Sequence, residues 1–322
     1  MRRIALVVVY ASIAASVTSV FAQTNYPERN IRLLYGFPPG NDLVARIYAD
    51  KLAEALGKPV IVENLTGGGG NIAADRTAKA RPDGYTIGFL PQANIIINTM
   101  LYRKLSFDPL NDLIPVTQIF GYPNLLLVNN EVPAKTVQEL VALARANPDK
   151  LTYGHNGVGT TTHLAPELFK LMARIKVQDV PYRGPSPVVA DMMSGRITMT
   201  FNAPGPLLPL IREQKIRALA VTSLSRAPFA PNVPTMEESG FAGFDFTVWF
   251  GIFLPAGTPP FIVEKLNRES IKIMSSPEIG KRLIDLGNIP LWNSPVEFSK
   301  QIEAERPFWA RIIKDAGVQP IE

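Results

Sequence analysis

Ile31-Arg32-Leu33-Leu34-Tyr35-Gly36-Phe37-Pro38-Pro39-Gly40-Asn41-Asp42 carries the chain from an apolar, β-like run through a Pro- and Gly-rich turn to the start of an amphipathic helix near Leu43. Beyond it, Val44, Tyr48, Leu52 and Leu56 recur at i, i+4 spacing with Ile47 beside them, and Gly57 is placed to end the helix. Val60-Ile61-Val62 reads as a second strand and Tyr85–Leu90 as a third. Between them a helix runs roughly from Asn71 to Ala80, after Gly67-Gly68-Gly69-Gly70 and before Pro82-Asp83-Gly84. This alternation predicts an α/β fold with a parallel sheet and helices on its faces. Ligands in such sheets gather at the carboxyl ends of the strands, which brings the loops after Tyr35, Val62 and Leu90 forward as candidate sites.

A second unit of the same kind follows. Leu125–Val128, Leu151–Tyr153, Val177–Val180, Ile197–Phe201 and Ile216–Val221 read as strands. Helices are expected over Val137–Ala146, Leu164–Met172, Val188–Met193 and Leu207–Glu213. Two such units predict two lobes, each a mostly parallel sheet flanked by helices, with a ligand cleft between them. Phe246–Leu254 is apolar and β-like, and Phe261–Met274, Pro277–Leu286 and Pro295–Ala316 after it are helical. The simplest path returns the chain to the first lobe at Phe246–Leu254. Lobe 1 is then residues 23–124 with 248–322, and lobe 2 is residues 125–247.

The N-terminus reads as a cleavable export signal. Arg2-Arg3 precedes an apolar stretch from Ile4 to Ala15, and Val20-Phe21-Ala22 is a small-x-small cleavage site before Gln23. Ser12, Ser16, Thr18 and Ser19 interrupt the apolar stretch, which argues against a spanning anchor. The sequence has no cysteine, which excludes disulfides and an N-terminal lipidated Cys. Without Arg2 and Arg3 the formal charge falls from +5 to about +3, too small a balance for a nucleic-acid binder and suited to an acidic small ligand.

Several loops join a strand to a helix N-terminus, where unpaired N–H groups and the helix dipole favour an anion. Phe37, Pro38, Pro39, Gly40, Asn41 and Asp42 form the first, and the alternative is a plain turn with Asp42 as an N-cap. Asn156-Gly157-Val158-Gly159-Thr160-Thr161-Thr162-His163 repeats the geometry, with three consecutive hydroxyls where one would serve as a cap. Tyr182-Arg183-Gly184-Pro185 is a third, with a fixed charge in Arg183 that also suits a solvated surface position. Asn202, followed by Ala203, ends an otherwise apolar strand, where an amide both donates and accepts. Trp249, Tyr182 and Phe37 suit a pocket wall or the core equally. Gly67–Gly70 lacks the Lys-Ser/Thr of a phosphate loop and is better explained by close backbone approach. His155 and His163 lack metal-ligand spacing, so neither a metal nor a cofactor is expected. With no Gly-x-Ser-x-Gly elbow, a scattered triad around either histidine is the remaining catalytic alternative.

Seven segments in order resemble the tripartite tricarboxylate transporter substrate-binding proteins, also called the Bug family. They are Phe37-Pro38-Pro39-Gly40, Val60–Asn64, Gly68–Ile72, Arg81–Thr86, Leu105–Pro109, Arg217–Thr222 and Pro231–Thr235. The resemblance implies a periplasmic binding protein of the two-lobed, type II-like fold. Such a protein closes on a small organic carboxylate, whether mono-, di- or tricarboxylate and aromatic ones included, and delivers it to membrane permease subunits as a monomer without catalysis. It also implies ligand contacts from Phe37–Asp42 and Gln92-Ala93-Asn94 in one lobe. From the other lobe it implies Asn156–His163, Tyr182–Pro185 and Asn202-Ala203. Many members have a longer first loop with a second Gly, whereas Gly40 here is followed directly by Asn41-Asp42. Asn202 stands where many relatives carry Asp, which favours a plain carboxylate over an amino acid. A binding protein that signals to a membrane sensor remains the nearest alternative, and an exported hydrolase a more distant one.

Overall fold

The apolar run Ile31–Tyr35 forms β1, and α1 (Leu43–Leu56) follows with Ala45, Ile47, Tyr48, Ala49 and Leu52 buried. Gly57 closes α1 at φ 68°, where a glycine avoids the Cβ penalty, and donates its N–H to the Ala53 carbonyl at 2.9 Å. The structure, a computed structural model, describes residues 25–320, so the leader read at residues 1–22 lies outside the described residues. The chain continues through β2 (Val60–Asn64), α2 (Asn71–Ala78) and β3 (Thr86–Pro91). A π-helical turn at Ala93–Ile97 then leads into α3 (Asn98–Leu101) and β4 (Leu113–Pro123). Next come β5 (Leu125–Asn129), α4 (Val137–Ala146), β6 (Thr152–His155), α5 (Thr161–Ala173), β7 (Gln178–Pro181) and α6 (Pro185–Met193). After these are β8 (Met199–Asn202), α7 (Leu208–Arg212), β9 (Ile216–Val221) and β10 (Thr247–Pro255). The chain ends with α8 (Pro260–Met274), α9 (Pro277–Asp285), β11 (Ile289–Pro290) and α10 (Pro295–Asp315).

Two sheets result. The first has the order β11-β4-β10-β3-β1-β2 and the second β7-β6-β8-β5-β9. In the first, β1, β2, β3 and β4 share a direction, while β10 and β11 run against them. In the second, β6, β7, β8 and β9 share a direction and β5 alone is reversed. The reversed strands β5 and β10 are those the chain enters on crossing between sheets. β10 joins the first sheet, where the return of the chain was expected. β4 carries no clear strand signature because Pro115, Gly121 and Pro123 interrupt it. The sheet tolerates Pro115 because its partner Phe253 lies at a register shift.

One hydrophobic cluster, with Tyr48, Phe89, Phe250 and Ile262, lies between the first sheet and α1 and α8. Another, with Leu125, Leu127, Val188 and Met192, lies between the second sheet and α6. The largest joins both sheets: Leu90, Trp249 and Phe253 meet Leu126, Phe169 and Phe201 through Phe298, Ile302 and Trp309 of α10. α10 starts at a capping box in which Ser294 and Glu297 satisfy each other's backbone N–H, with Pro295 at the first helical position.

Candidate functional site

Register places the crossing between the two sheets at one edge of each. β4 ends at Pro123, opposite Thr247, and Phe250 of β10 pairs with Pro91 at the carboxyl end of β3. One residue later β5 begins at Leu125, which pairs with Asn202 at the carboxyl end of β8. The crossing at Asn124 therefore joins the carboxyl edge of one sheet to that of the other. The return crossing is tied to it by Thr222. Its Oγ1 accepts from Asn124 N–H at 2.8 Å and donates to the Phe246 carbonyl at 3.0 Å. The Thr222 N–H and carbonyl bond Asn124 and Phe246 in turn, at 3.0 and 2.9 Å. At Gly205 a side chain would meet the Leu286 carbonyl, so the segment after β8 touches the end of α9 in the first sheet's unit.

In the first loop, Asp42 is buried but makes no side-chain cap on α1. Its carboxylate turns back to accept from Gly40 N–H at 3.1 Å and from Arg46 Nη2 at 2.7 Å. Burial opposes the charge, but hydrogen bonds from Arg46, Asn64 and Gly40 outweigh it and hold the carboxyl below its usual range. Asn64 Nδ2 donates to the Phe37 carbonyl at 2.8 Å, and Tyr35 Oη to that of Asn41 at 2.9 Å. Phe37 packs half-buried against Tyr35 and Phe250, and Pro38, Pro39, Gly40 and Asn41 are exposed. Among the described residues no N-cap side chain accepts from the first-turn amides of α1.

After β3, Gln92 is buried and its Nε2 donates to Glu305 Oε2 at 2.5 Å. Glu305, on α10, also accepts from Trp249 Nε1 at 3.0 Å and Gln301 Nε2 at 2.8 Å. Burial raises its carboxyl above the ordinary value despite these three donors. Trp249 thus belongs to the shared core, held by its indole N–H. Ala93 begins the π-helical turn. Asn94, fully buried, braces the glycine run: its Nδ2 donates to the Gly69 carbonyl at 3.0 Å and to Asn71 Oδ1 at 2.8 Å. A Cβ on Gly36 would lie 2.6 Å from the Gly70 Cα, the close approach that the run Gly67–Gly70 permits.

The loop after β6 is organised inward. Asn156 N–H donates to Thr162 Oγ1 at 2.9 Å, Gly157 N–H to His155 Nδ1 at 3.2 Å and Gly159 N–H to His163 Nδ1 at 3.2 Å. Thr160 makes no side-chain cap; its Oγ1 donates to the Gly157 carbonyl and lies 2.8 Å from Thr162 Oγ1. Several amides expected to meet an anion are thus committed within the loop. Thr161 begins α5, half-buried. Tyr182 N–H donates to the His155 carbonyl, and its Oη to Asp191 at 2.7 Å; burial pushes this phenol up to about 12. Arg183 is exposed and has no ion pair among the described residues. Gly184 caps α6 at φ 104°, with Pro185 next in the first helical position. Asn202 is buried, its Oδ1 accepting from Ala203 N–H at 2.9 Å.

At these carboxyl edges stand buried polar atoms that have no hydrogen-bond partner among the described residues. They are Gln92 Oε1, Asn94 Oδ1, both side-chain atoms of Asn124, His155 Nε2, Asn156 Oδ1 and Asn202 Nδ2. Such atoms are rare in folded proteins and need a ligand or water to satisfy them. Both donors and acceptors are present, which suits a ligand carrying oxygen at more than one position. Asn124, Thr222 and Glu305 escaped the sequence reading because their partners lie far away in the chain. His155, His163 and Asp179 offer ligand atoms within 4.8 Å of one another, a proximity the sequence spacing hides. The trio suits a metal poorly: with both Nδ1 atoms accepting amide hydrogens, each neutral ring carries its proton on Nε2. A cavity of about 640 Å³ lined by Leu113, Phe253, Ile302 and Arg306 lies under α10, away from the facing edges.

Two α/β units joined at a narrow crossing, with strand carboxyl ends and unsatisfied polar groups facing each other, define a two-lobed solute-binding protein. Residues 44–318 match the family described as "Tripartite tricarboxylate transporter family receptor", and the chain belongs to that family. Protein BugT of Bordetella pertussis (strain Tohama I) is 32% identical over 321 residues, covering 99% of this chain and 98% of its own. Among solved structures, "R. palustris Rpa4515 with adipate" is similar, with 35% identity and a TM-score of 0.83 over 92% of this chain and all of its own. MatC (Rpa3494) from Rhodopseudomonas palustris with bound malate shares 30% identity, with a TM-score of 0.77 over 89% of this chain and all of its own.

Proposed function

We propose that this chain is a periplasmic solute-binding protein that closes on a small dicarboxylate and delivers it to the permease subunits of a tripartite tricarboxylate transporter. The carrying observation is the set of unsatisfied buried polar atoms at both carboxyl edges, beside the Asn124–Thr222–Phe246 crossing. In this reading residues 23–124 with 248–322 form one lobe, residues 125–247 form the other, and export removes residues 1–22. The first-turn amides of α1 take one carboxylate. Exposed and without an ion pair among the described residues, Arg183 takes the second, a long-reaching cation at the rim of the other lobe. Adipate in one relative and malate in another support this ligand class. Closure follows from differential affinity: a ligand touching both lobes stabilises the closed form by whatever contacts it gains there. The protein performs no chemistry of its own, consistent with both imidazole Nδ1 atoms being occupied by amide hydrogens.

Titration calorimetry and thermal unfolding with adipate and malate test the proposal. A ligand at about a hundred times its Kd adds about 2.7 kcal/mol of stability. Absence of heat and of stabilisation with either dicarboxylate sinks the reading. Uptake into proteoliposomes holding the permease subunits, dependent on added binding protein, tests delivery. A mature N-terminus at Gln23, read by mass spectrometry of protein from the periplasm, tests export.

A further inference from the structure

The loop Asn156–Thr162 hangs on two imidazoles. His155 is fully buried at the end of β6, His163 is buried in the first turn of α5, and their ring centroids are 4.5 Å apart. Each accepts one loop amide at Nδ1, from Gly157 and Gly159 respectively, at 3.2 Å. Resting on the binding reading above, we infer that His155 and His163 are positioning residues: each holds a loop amide on its Nδ1 lone pair, and the loop keeps its ligand-binding form only while His163 is neutral. Carboxylate affinity is thereby made to fall in acid.

A neutral imidazole presents one lone pair, and here it faces the amide N–H. Protonation places a hydrogen on that same nitrogen, so donor would face donor and the amide must turn away. Gly157 and Gly159, at φ 137° and 78°, occupy backbone conformations natural to glycine, which keeps such a turn accessible. Movement at these residues passes to Thr160 and Thr162, whose hydroxyls bond the same loop. The charged neighbours are named by the elements around the pair. From β7, Asp179 lies 3.8 Å from His155 Nε2, at the edge of the ring opposite Gly157, and is itself exposed. On α5, Glu167 is occupied by Tyr153 Oη of β6 at 2.5 Å and by Lys170 Nζ at 2.7 Å. For His163, burial depresses the imidazole value first and His155 adds to it, with Lys170 acting the same way and Glu167 and Asp179 opposing. A depressed value keeps the loop intact above the ordinary imidazole range near 6.5 and releases it as pH falls through the lower value.

The test compares adipate Kd from pH 8 to pH 5 in the wild type, His163→Asn, His163→Leu and the double variant His155→Asn/His163→Asn. Asn Oδ1 replaces Nδ1 as an acceptor but does not titrate. The ligand's own protonation is common to all four proteins and cancels in the comparison. His163→Asn, which keeps an acceptor for Gly159 N–H, is expected to lose less neutral-pH affinity than His163→Leu. The wild type should lose on the order of tenfold more affinity than the double variant for each pH unit below the imidazole value. His163→Leu should bind weakly at every pH. Parallel pH profiles for the wild type and the double variant, or normal binding by His163→Leu, overturn the inference. Nitrogen-15 spectra of the two imidazoles in the unliganded protein give a readout independent of any ligand. Nε2–H tautomers on both rings, with the Gly159 amide signal moving as His163 titrates, support it. Nδ1–H tautomers or unmoved amides overturn it even if adipate and malate do not bind, an outcome that would separately end the binding reading.

Discussion

Asp42, in a candidate loop, and Glu305, bonded to Gln92 of another, are buried carboxyl groups whose neighbours push them in opposite directions. Asp42 has a guanidinium at 2.7 Å and an amide at 3.1 Å, which keep it charged despite burial. Glu305 has only the neutral donors of Gln92, Gln301 and Trp249, so burial prevails and raises its carboxyl value. Its role is to fix Gln92, whose Nε2 is committed to Glu305 and whose Oε1 is left as an unpartnered acceptor. Replacing Glu305 by Leu strands these donors and is expected to cost about 1–3 kcal/mol in urea unfolding at neutral pH. Glu305→Gln separates charge from packing. A carboxyl raised in the folded state binds its proton there before it does in the unfolded chain. Stability of the wild type relative to Glu305→Gln should therefore rise as pH falls from the raised value toward the ordinary one near 4.5. A difference that is flat, or of opposite sign, across that window contradicts this account of Glu305.

At the scale of elements, the site depends on two loops of the first sheet meeting without side chains between them. Gly36, just after β1, faces Gly70 across a gap in which a Cβ would lie 2.6 Å from a backbone carbon. Because backbone cannot rotate out of the way, Gly36→Ala must push the loop after β1 from the Gly67–Gly70 run that Asn94 braces. The expected loss is about 1–3 kcal/mol of stability, together with weaker carboxylate binding, read by chemical denaturation and calorimetry; unchanged values in both would refute the steric argument. Most of this architecture is legible in the sequence for physical reasons. β1 announces itself by a near-continuous apolar run and α1 by apolar residues at period 3.6, and Gly57 ends the helix as its place predicts. β4 does not, because its prolines and glycine are made tolerable only by register shifts against β10. The candidate loops were singled out by their strand-to-helix position. The direction in which their groups point was not. Asp42 turns from helix cap to partner of Arg46, and the loop after β6 turns its amides onto His155 and His163. Glu305 had no local signal, since its partner Gln92 lies 213 residues away.

For the whole molecule, two sheets with one shared core raise the question of how the lobes move without coming apart. α10 is the common wall: Trp309 meets Phe246 at 5.0 Å between ring centroids, and Phe298 meets Trp249 at 4.9 Å. A core common to both sheets couples their unfolding, so heating should give a single transition whose calorimetric and van't Hoff enthalpies agree. Trp309→Ala removes a fully buried side chain at about 3–5 kcal/mol and should lower that one transition without splitting it. Two separated transitions in the wild type would show that the lobes are independent. Closure as proposed would turn about the two crossings between the sheets, which Asn124, Thr222 and Phe246 tie together. Thr222, fully buried, holds both crossings through one hydroxyl that accepts from Asn124 N–H and donates to the Phe246 carbonyl. Thr222→Val keeps the shape and strands both partners, at about 1–3 kcal/mol. If this hydroxyl pins the axis of closure, the variant should also bind carboxylate more weakly than its stability loss alone explains, because the lobes no longer meet in one register. Small-angle scattering with and without adipate should then show a smaller ligand-induced compaction than in the wild type. Equal compaction and equal Kd would place the hinge elsewhere.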